Sequence, residues 1–110
     1  MHTVTSTPLP DFDAERAIRM ARQTLHIEAQ ALLGLEQQVA GPFAAAVHAV
    51  LGCRGRVVVM GMGKSGHVGR KIAATLASTG TPAMFVHPGE ASHGDLGMVT
   101  TGDVVLAISN

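Results

Sequence analysis

The sequence predicts an α/β fold with a parallel sheet, and the order of its apolar segments carries this prediction. Three apolar runs of strand length occupy residues 56–60, 83–86 and 103–108 of the 110-residue chain. A stretch with helical periodicity separates the first two runs, and a loop rich in proline, glycine and histidine, residues 87–97, lies between the last two. Strand, helix, strand, loop and strand in this order are typical of a parallel α/β sheet.

The half of the chain that precedes the first strand is predicted to be helical. Residues 1–12 are polar and carry prolines, so we expect a flexible segment there, followed by helices over residues 13–52. Apolar residues recur at helical spacing after Asp11 and Asp13, either of which is a suitable N-cap. Gly41-Pro42 ends this long amphipathic helix, and the proline suits the first turn of a second one.

The first strand and the helix after it show two different apolar patterns. Three consecutive valines within residues 56–60 indicate a strand that is buried on both faces. In the helix, spacing predicts an apolar face made of Val68, Ile72, Ala73, Leu76 and Ala77, with Arg70, Lys71 and Thr75 on the other face. Gly80, followed closely by a proline, is expected to end the helix.

Composition narrows the classes of partner. Eight Lys and Arg residues balance eight Asp and Glu residues, which gives no electrostatic footprint for nucleic acid or for an anionic membrane. Cys53 is the only cysteine, so an intrachain disulfide is excluded. The first ten residues lack the pattern of a signal peptide, and no apolar run is long enough to span a bilayer. We therefore expect a cytoplasmic domain.

The glycine loop over residues 61–66, Gly-Met-Gly-Lys-Ser-Gly, connects the first strand to the helix. A glycine loop that opens a helix presents backbone N–H groups at the positive end of the helix dipole, where an anion such as phosphate binds. Lys64 adds a cation and Ser65 a hydroxyl. Residues 61–66, 87–97 and 109–110 all follow strands, so we expect them to converge at the carboxyl edge of the sheet.

Two common phosphate motifs fit this loop poorly. A P-loop needs a glycine at the position that Val58 occupies, which disfavours a nucleoside triphosphatase. The dinucleotide fingerprint G-x-G-x-x-G is present, but it also requires an acidic residue near the end of the second strand. Val86-His87 stands there instead, and Glu90 comes late in the loop. A dinucleotide site therefore stays open as an alternative, although the acidic residue that it requires is missing at this position.

Three segments, residues 61–67, 77–82 and above all 85–98, resemble the bacterial D-arabinose 5-phosphate isomerases of the sugar isomerase (SIS) domain family. The resemblance implies a three-layer α/β/α domain with a parallel sheet of the flavodoxin or Rossmann type, usually tetrameric and followed by paired CBS domains. Residues 1–110 would be the N-terminal part of one SIS domain. The implied reaction interconverts D-ribulose 5-phosphate and D-arabinose 5-phosphate on the route to the Kdo sugar of lipopolysaccharide.

The resemblance also implies roles for particular residues. Lys64 matches a lysine that the family needs for activity, and His87 matches a histidine that can bind zinc, an ion that these isomerases do not require. His93 is a second catalytic candidate on chemical grounds, because an imidazole can donate or accept a proton or help to open the sugar ring. The positions that match substrate contacts are Gly63, Ser65, Gly80, Thr81, His87, His93, Ser109 and Asn110. The remaining catalytic residues, including the base that moves the proton between carbons, would lie beyond Asn110, so we expect the fragment alone to be inactive.

Other interpretations of these residues remain open. Spacing alone leaves His87 and His93, with Glu90 and Asp95 nearby, as a candidate metal site, although such clusters are common in solvated loops. SIS domains also occur in regulators that sense sugar phosphates without catalysis. A regulator is expected to carry a basic helix-turn-helix segment, and residues 1–55 show no such basic face. The sequence therefore favours the enzyme.

Overall fold

The computed structural model describes residues 10–91 and 94–109, and it divides into two compact units. The first unit ends at Ala40 and the second begins at Gly41. The segment predicted to be flexible is residues 1–12, and residues 1–9 of it lie outside the described residues.

The first unit is the long helix α1, Ala14–Glu36. Its N-cap is Asp13, whose carboxylate accepts a hydrogen bond from the backbone N–H of Arg16 at 2.9 Å. Capping of this kind satisfies one of the N–H groups that have no partner within the helix. The helix buries none of its residues, and its exposed large apolar side chains are Ile18, Met20, Leu25, Ile27, Leu32, Leu33 and Leu35.

The second unit begins with α2, Gly41–Leu51, and its described residues form a parallel sheet of three strands. The strands are β1 (Val57–Gly61), β2 (Ala83–Val86) and β3 (Val104–Ile108), and their order in the sheet is β2-β1-β3. Helix α3, Gly63–Ser78, connects β1 to β2. The connection from β2 to β3 holds the short helix α4, Pro88–Ala91, and a 3₁₀ turn, Asp95–Met98. The predicted α/β fold with a parallel sheet is therefore confirmed.

The central strand β1 forms the core. Val57, Val58 and Val59 are completely buried, as expected for a strand with a neighbour on each side and packing on both faces. Val57 and Val59 pack with Ala73 of α3 on one face, whereas Val58 packs with Val86 on the other. Pairing of Gly61 with Ile108 brings the ends of β1 and β3 to the same edge.

Helix α3 packs on the sheet with part of its predicted apolar face. Ala73 is buried and Ile72 and Leu76 pack against the core, as predicted. Val68 is 55% exposed and Ala77 is also exposed, so the expectation is wrong for these two, and Gly66 and Gly69 are buried instead. The aromatic ring of Phe85 explains the difference, because a Cβ atom on Gly69 would lie only 3.0 Å from it. Small residues allow α3 to approach Phe85 closely, and the larger Val68 is left outside.

Asp103 fixes the amino end of β3 beside the residues that lead into β1. Its carboxylate accepts hydrogen bonds of 2.7 Å from the backbone N–H groups of Arg56 and Thr100. These two bonds, led by the one from Arg56, hold the pKa of the Asp103 carboxyl below its ordinary value of 3.8. The backbone N–H of Gly55 also donates to the carbonyl of Gly102 at 2.9 Å, which adds a further hydrogen bond between the residues before β1 and those before β3.

None of the helices in the described part of the chain combines the length and the apolar character needed to cross a lipid bilayer.

Candidate functional site

A cavity of about 630 Å³ opens at the carboxyl edge of the sheet, and we call it the Lys64 cavity. Three segments that are distant in sequence meet there: the glycine loop, the start of α4 and the end of β3. The described residues that line it are Met60, Gly61, Met62, Lys64, Ser65, Pro88, Ala107, Ile108 and Ser109. Parallel strands bring their carboxyl ends together, so the fold itself creates this meeting point.

The polar groups of the Lys64 cavity come from the start of α3 and from the residue after β3. Lys64 is exposed, Ser65 is half-buried, and Ser109 follows the last residue of β3. Met62 holds the N-cap position of α3 and makes no side-chain capping hydrogen bond. The first N–H groups of α3 therefore have no side-chain cap, which leaves them available to an anion.

The glycines of the loop allow a very close backbone approach. A Cβ atom on Gly61 would lie 2.8 Å from the carbonyl oxygen of Ser65, and one on Gly66 would lie 2.8 Å from the carbonyl oxygen of Gly61. Gly63 has a φ of +57°, a left-handed conformation that favours glycine. The loop folds tightly because each of these three positions lacks a side chain.

His87 follows β2 and lines a different cavity, on the side of the glycine loop where Gly63, Gly66 and Arg70 lie. Its Nδ1 atom accepts a hydrogen bond from the backbone N–H of Gly89 at 3.0 Å. In a neutral imidazole the other nitrogen, Nε2, then carries the proton and acts as a donor. A metal bound through Nε2 would require that proton to leave, so this hydrogen bond favours His87 as a donor over a zinc ligand.

Gly80 and Thr81 lie at the opposite end of the sheet from the Lys64 cavity. Both precede β2, whose first residue pairs with the first residue of β1. Gly80 has a φ of +102°, and the N–H of Thr81 donates to the carbonyl of Leu76 at 2.9 Å, as in the usual glycine-terminated helix end. The structure therefore gives these residues a role in ending α3, and their predicted contact with substrate stays a prediction.

His93 and Asn110, two further predicted site residues, lie outside the described residues. Among residues 10–91 and 94–109, no group of three His, Cys, Asp or Glu side chains is placed to hold a metal ion.

The sequence analysis did not predict Arg70 and Phe85, which line the same cavity as His87. The signal for them was the pair of helix glycines, Gly66 and Gly69, opposite an aromatic residue in the next strand.

The family model of the SIS domain matches residues 50–110, which include the whole sheet, α3 and both cavities. This chain belongs to the SIS domain family. The family assignment agrees with the parallel sheet in the order β2-β1-β3 and with a glycine loop that leads into α3.

Relatives of the chain share both sequence and structure with it. The arabinose 5-phosphate isomerase KdsD of Yersinia pestis is 60% identical over 101 residues, which are 92% of this chain and 30% of the relative. The enzyme of the same name from Pseudomonas aeruginosa is 59% identical over 93 residues, 84% of this chain and 28% of the relative. This chain thus spans about 30% of the length of these curated relatives.

A solved structure of an Escherichia coli CFT073 protein in complex with arabinose 5-phosphate superposes on this chain with a TM-score of 0.83. The two sequences are 44% identical, and the match covers 90% of this chain and 53% of that protein. The SIS domain fold of this chain is therefore shared with a protein that holds this sugar phosphate.

Proposed function

We propose that this chain is the phosphate-binding part of an aldose-ketose isomerase that interconverts D-ribulose 5-phosphate and D-arabinose 5-phosphate. One observation carries the proposal: the uncapped start of α3, Lys64, Ser65 and Ser109 all line one cavity. Relatives at about 60% identity bear the name of this isomerase, which supports the choice of substrate.

The substrate's phosphate would bind to the N–H groups at the start of α3, with the hydroxyls of Ser65 and Ser109 as further partners. Backbone N–H groups at a helix start are well suited to an anion, because they point outward along the helix dipole. Lys64 contributes positive charge on the same side of the cavity. We expect Lys64 to stabilise the negative charge that develops on the sugar during the reaction.

The isomerisation needs no external oxidant. A base removes the proton from the carbon next to the carbonyl group, and the electron pair moves to the carbonyl oxygen to give an enediolate. The hydroxyl proton passes from the second oxygen to the first, and the proton on the base is delivered to the former carbonyl carbon, so that the carbonyl and the hydroxyl exchange positions. Lys64 is suited to stabilise the enediolate oxygen, and we expect His93 to transfer protons or to assist opening of the sugar ring.

The wider setting is part of the same proposal. We propose that the chain supplies the N-terminal part of a SIS domain within a longer cytoplasmic enzyme that carries paired CBS domains, belongs to the lipopolysaccharide pathway and forms a homotetramer. The exposed apolar side chains of α1 and of β3, where Val105 is 50% exposed, support an assembly that covers them. Size-exclusion chromatography with light scattering on the full-length enzyme tests the tetramer.

A substitution at Lys64 tests the proposed function. In the full-length enzyme we expect Lys64→Ala to lower kcat/KM for arabinose 5-phosphate by about 100-fold, the usual effect of removing a group that stabilises an oxyanion. Lys71→Ala is the matched control, because Lys71 is an exposed lysine on the same helix that lines neither cavity. Equal kinetics for Lys64→Ala and the wild type would refute the role of Lys64. Sugar phosphate binding without turnover in the wild type would indicate a sensor instead.

A further inference from the structure

A second cavity, of about 230 Å³, lies beside the glycine loop, and we call it the Arg70 cavity. It shares no lining residue with the Lys64 cavity. A water molecule takes up about 30 Å³ in the liquid, so the Arg70 cavity can hold a fragment of several heavy atoms. The residues that line it are Gly63, Gly66, His67, Arg70, Phe85 and His87.

The two cavities lie close together along the chain. Gly63 lines the Arg70 cavity and the next residue, Lys64, lines the other. The same holds at the end of β2, where His87 lines the Arg70 cavity and Pro88 the Lys64 cavity. The two cavities are therefore lined by adjacent residues of the same two segments, the glycine loop with the start of α3 and the end of β2 with the start of α4.

The guanidinium group of Arg70 is held in place by an aromatic ring. Its central carbon lies 4.3 Å from the centroid of the Phe85 ring, within the range of a cation–π interaction. Phe85 itself packs closely against α3, because Gly69 leaves space for its ring. Arginine that stacks on an aromatic face keeps its N–H edges available for a ligand. Among the described residues, no carboxylate lines this cavity.

His87 complements Arg70 as a donor in the same cavity. Because its Nδ1 accepts the hydrogen bond from Gly89, its Nε2–H remains to be donated. A cationic donor and a neutral donor together suit oxygen atoms that carry or develop negative charge, such as the carbonyl and hydroxyl oxygens of an open-chain sugar.

We propose that the Arg70 cavity binds the hydroxyl-bearing and carbonyl-bearing end of the open-chain sugar phosphate while the phosphate occupies the Lys64 cavity. Arg70 is then a substrate-binding residue that acts together with His87. This inference rests on the proposed function, since it takes the sugar phosphate as the ligand.

The test measures binding, so that it does not depend on turnover. Calorimetric titration of the full-length enzyme with arabinose 5-phosphate tests both cavities, and on this proposal inorganic phosphate binds in the Lys64 cavity. Arg70→Met removes the charge and keeps a flexible side chain over Phe85. We expect it to raise the Kd for the sugar phosphate by about tenfold, as for the loss of a charged hydrogen bond, and to leave the Kd for inorganic phosphate unchanged.

Lys71→Met is the matched control, because Lys71 is the adjacent residue and lines a separate groove with Val68 and Ile72. We expect it to change neither Kd. Arg70→Lys keeps the charge without the planar donor fork, so the sugar phosphate Kd is expected to lie between those of Arg70→Met and the wild type. Melting temperatures of the three variants establish that each one is folded.

Two results would overturn the inference: a wild-type Kd for the sugar phosphate in Arg70→Met, or a parallel loss of inorganic phosphate binding in the same variant. If Arg70→Met does not fold, a wild-type Kd in Arg70→Lys overturns it as well. A wild-type enzyme that binds arabinose 5-phosphate without converting it would contradict the proposed isomerase, and the Arg70 variants would still decide the binding role.

Discussion

The close contact between Gly61 and Ser65 makes a sharp prediction about the glycine loop. A Cβ atom on Gly61 would lie 2.8 Å from the carbonyl oxygen of Ser65 and 2.9 Å from its carbonyl carbon. Both atoms belong to the backbone, so no side chain can rotate away to make room. The variant Gly61→Ala therefore has to move β1 and the first turn of α3 apart.

The size of this movement follows from the distances. Ordinary contact of a Cβ atom begins at 3.4 Å, so the backbone must open by about 0.6 Å. Overpacking of this kind costs about 1–3 kcal/mol of stability. A binding site needs its donors within about 0.5 Å of their proper positions, so the same movement disturbs the N–H groups at the start of α3. We expect the affinity for inorganic phosphate to fall by about tenfold.

Urea unfolding and phosphate titration of the full-length enzyme measure the two effects separately. Gly34→Ala is the control, because a Cβ atom at Gly34 meets nothing within 4 Å and the residue lies within α1. Alanine is the better helix former, so we expect that variant to gain about 1 kcal/mol and to bind phosphate normally. If Gly61→Ala matches the wild type in unfolding midpoint and in phosphate affinity, the tight loop has no part in the site.

Two further predictions concern charge and metal. We expect Asp103→Asn to destabilise the fold at pH 7. The pKa of Asp103 is lower in the folded state than its unfolded value near 3.8, so the ionised carboxylate stabilises the fold at pH values above that unfolded pKa. This stabilisation is lost as the pH falls through the pKa of the folded state. Urea unfolding from pH 7 to pH 3 should therefore show the difference between variant and wild type shrinking below about pH 4, and a constant difference would contradict this. We also expect EDTA to leave turnover unchanged, since the His87 hydrogen bond to Gly89 opposes a zinc ligand, and a loss that added zinc restores would refute this.

The order of strands and helices could be predicted because each element carries its own local signal. Three valines in a row indicated the buried strand β1, and Gly80 indicated the end of α3. Asp11 and Asp13 were both candidates for the start of α1, and the structure has Asp13 as the N-cap. These signals depend on residues within a few positions of one another. They can be read without knowing which helices and strands pack against each other.

The buried face of α3 could be predicted only in part. Spacing correctly placed Ala73 in the core and Ile72 and Leu76 against it. It also placed Val68 there, yet Val68 is exposed and the other buried positions are the two glycines. The reason lies in β2, where Phe85 occupies the volume beside the helix, and this partner is 16 positions beyond Gly69 in the sequence. Hydrophobic spacing identifies an apolar face, but only the partner decides whether small or large residues fit there.

The candidate site shows the same division between local and long-range information. The glycine loop was recognisable as a candidate anion site from its own residues, and the parallel strands bring Ser109 to the same cavity. The apolar pattern puts Arg70 on the solvent-facing side of α3, and it is exposed, but Phe85 fixes its guanidinium beside His87. Gly66 approaches Gly61 in the glycine loop, whereas Gly69, three residues further along α3, leaves space for Phe85, so different glycines shape the two cavities. A change at Gly69 should therefore disturb sugar binding through Arg70 before it disturbs phosphate binding at Lys64.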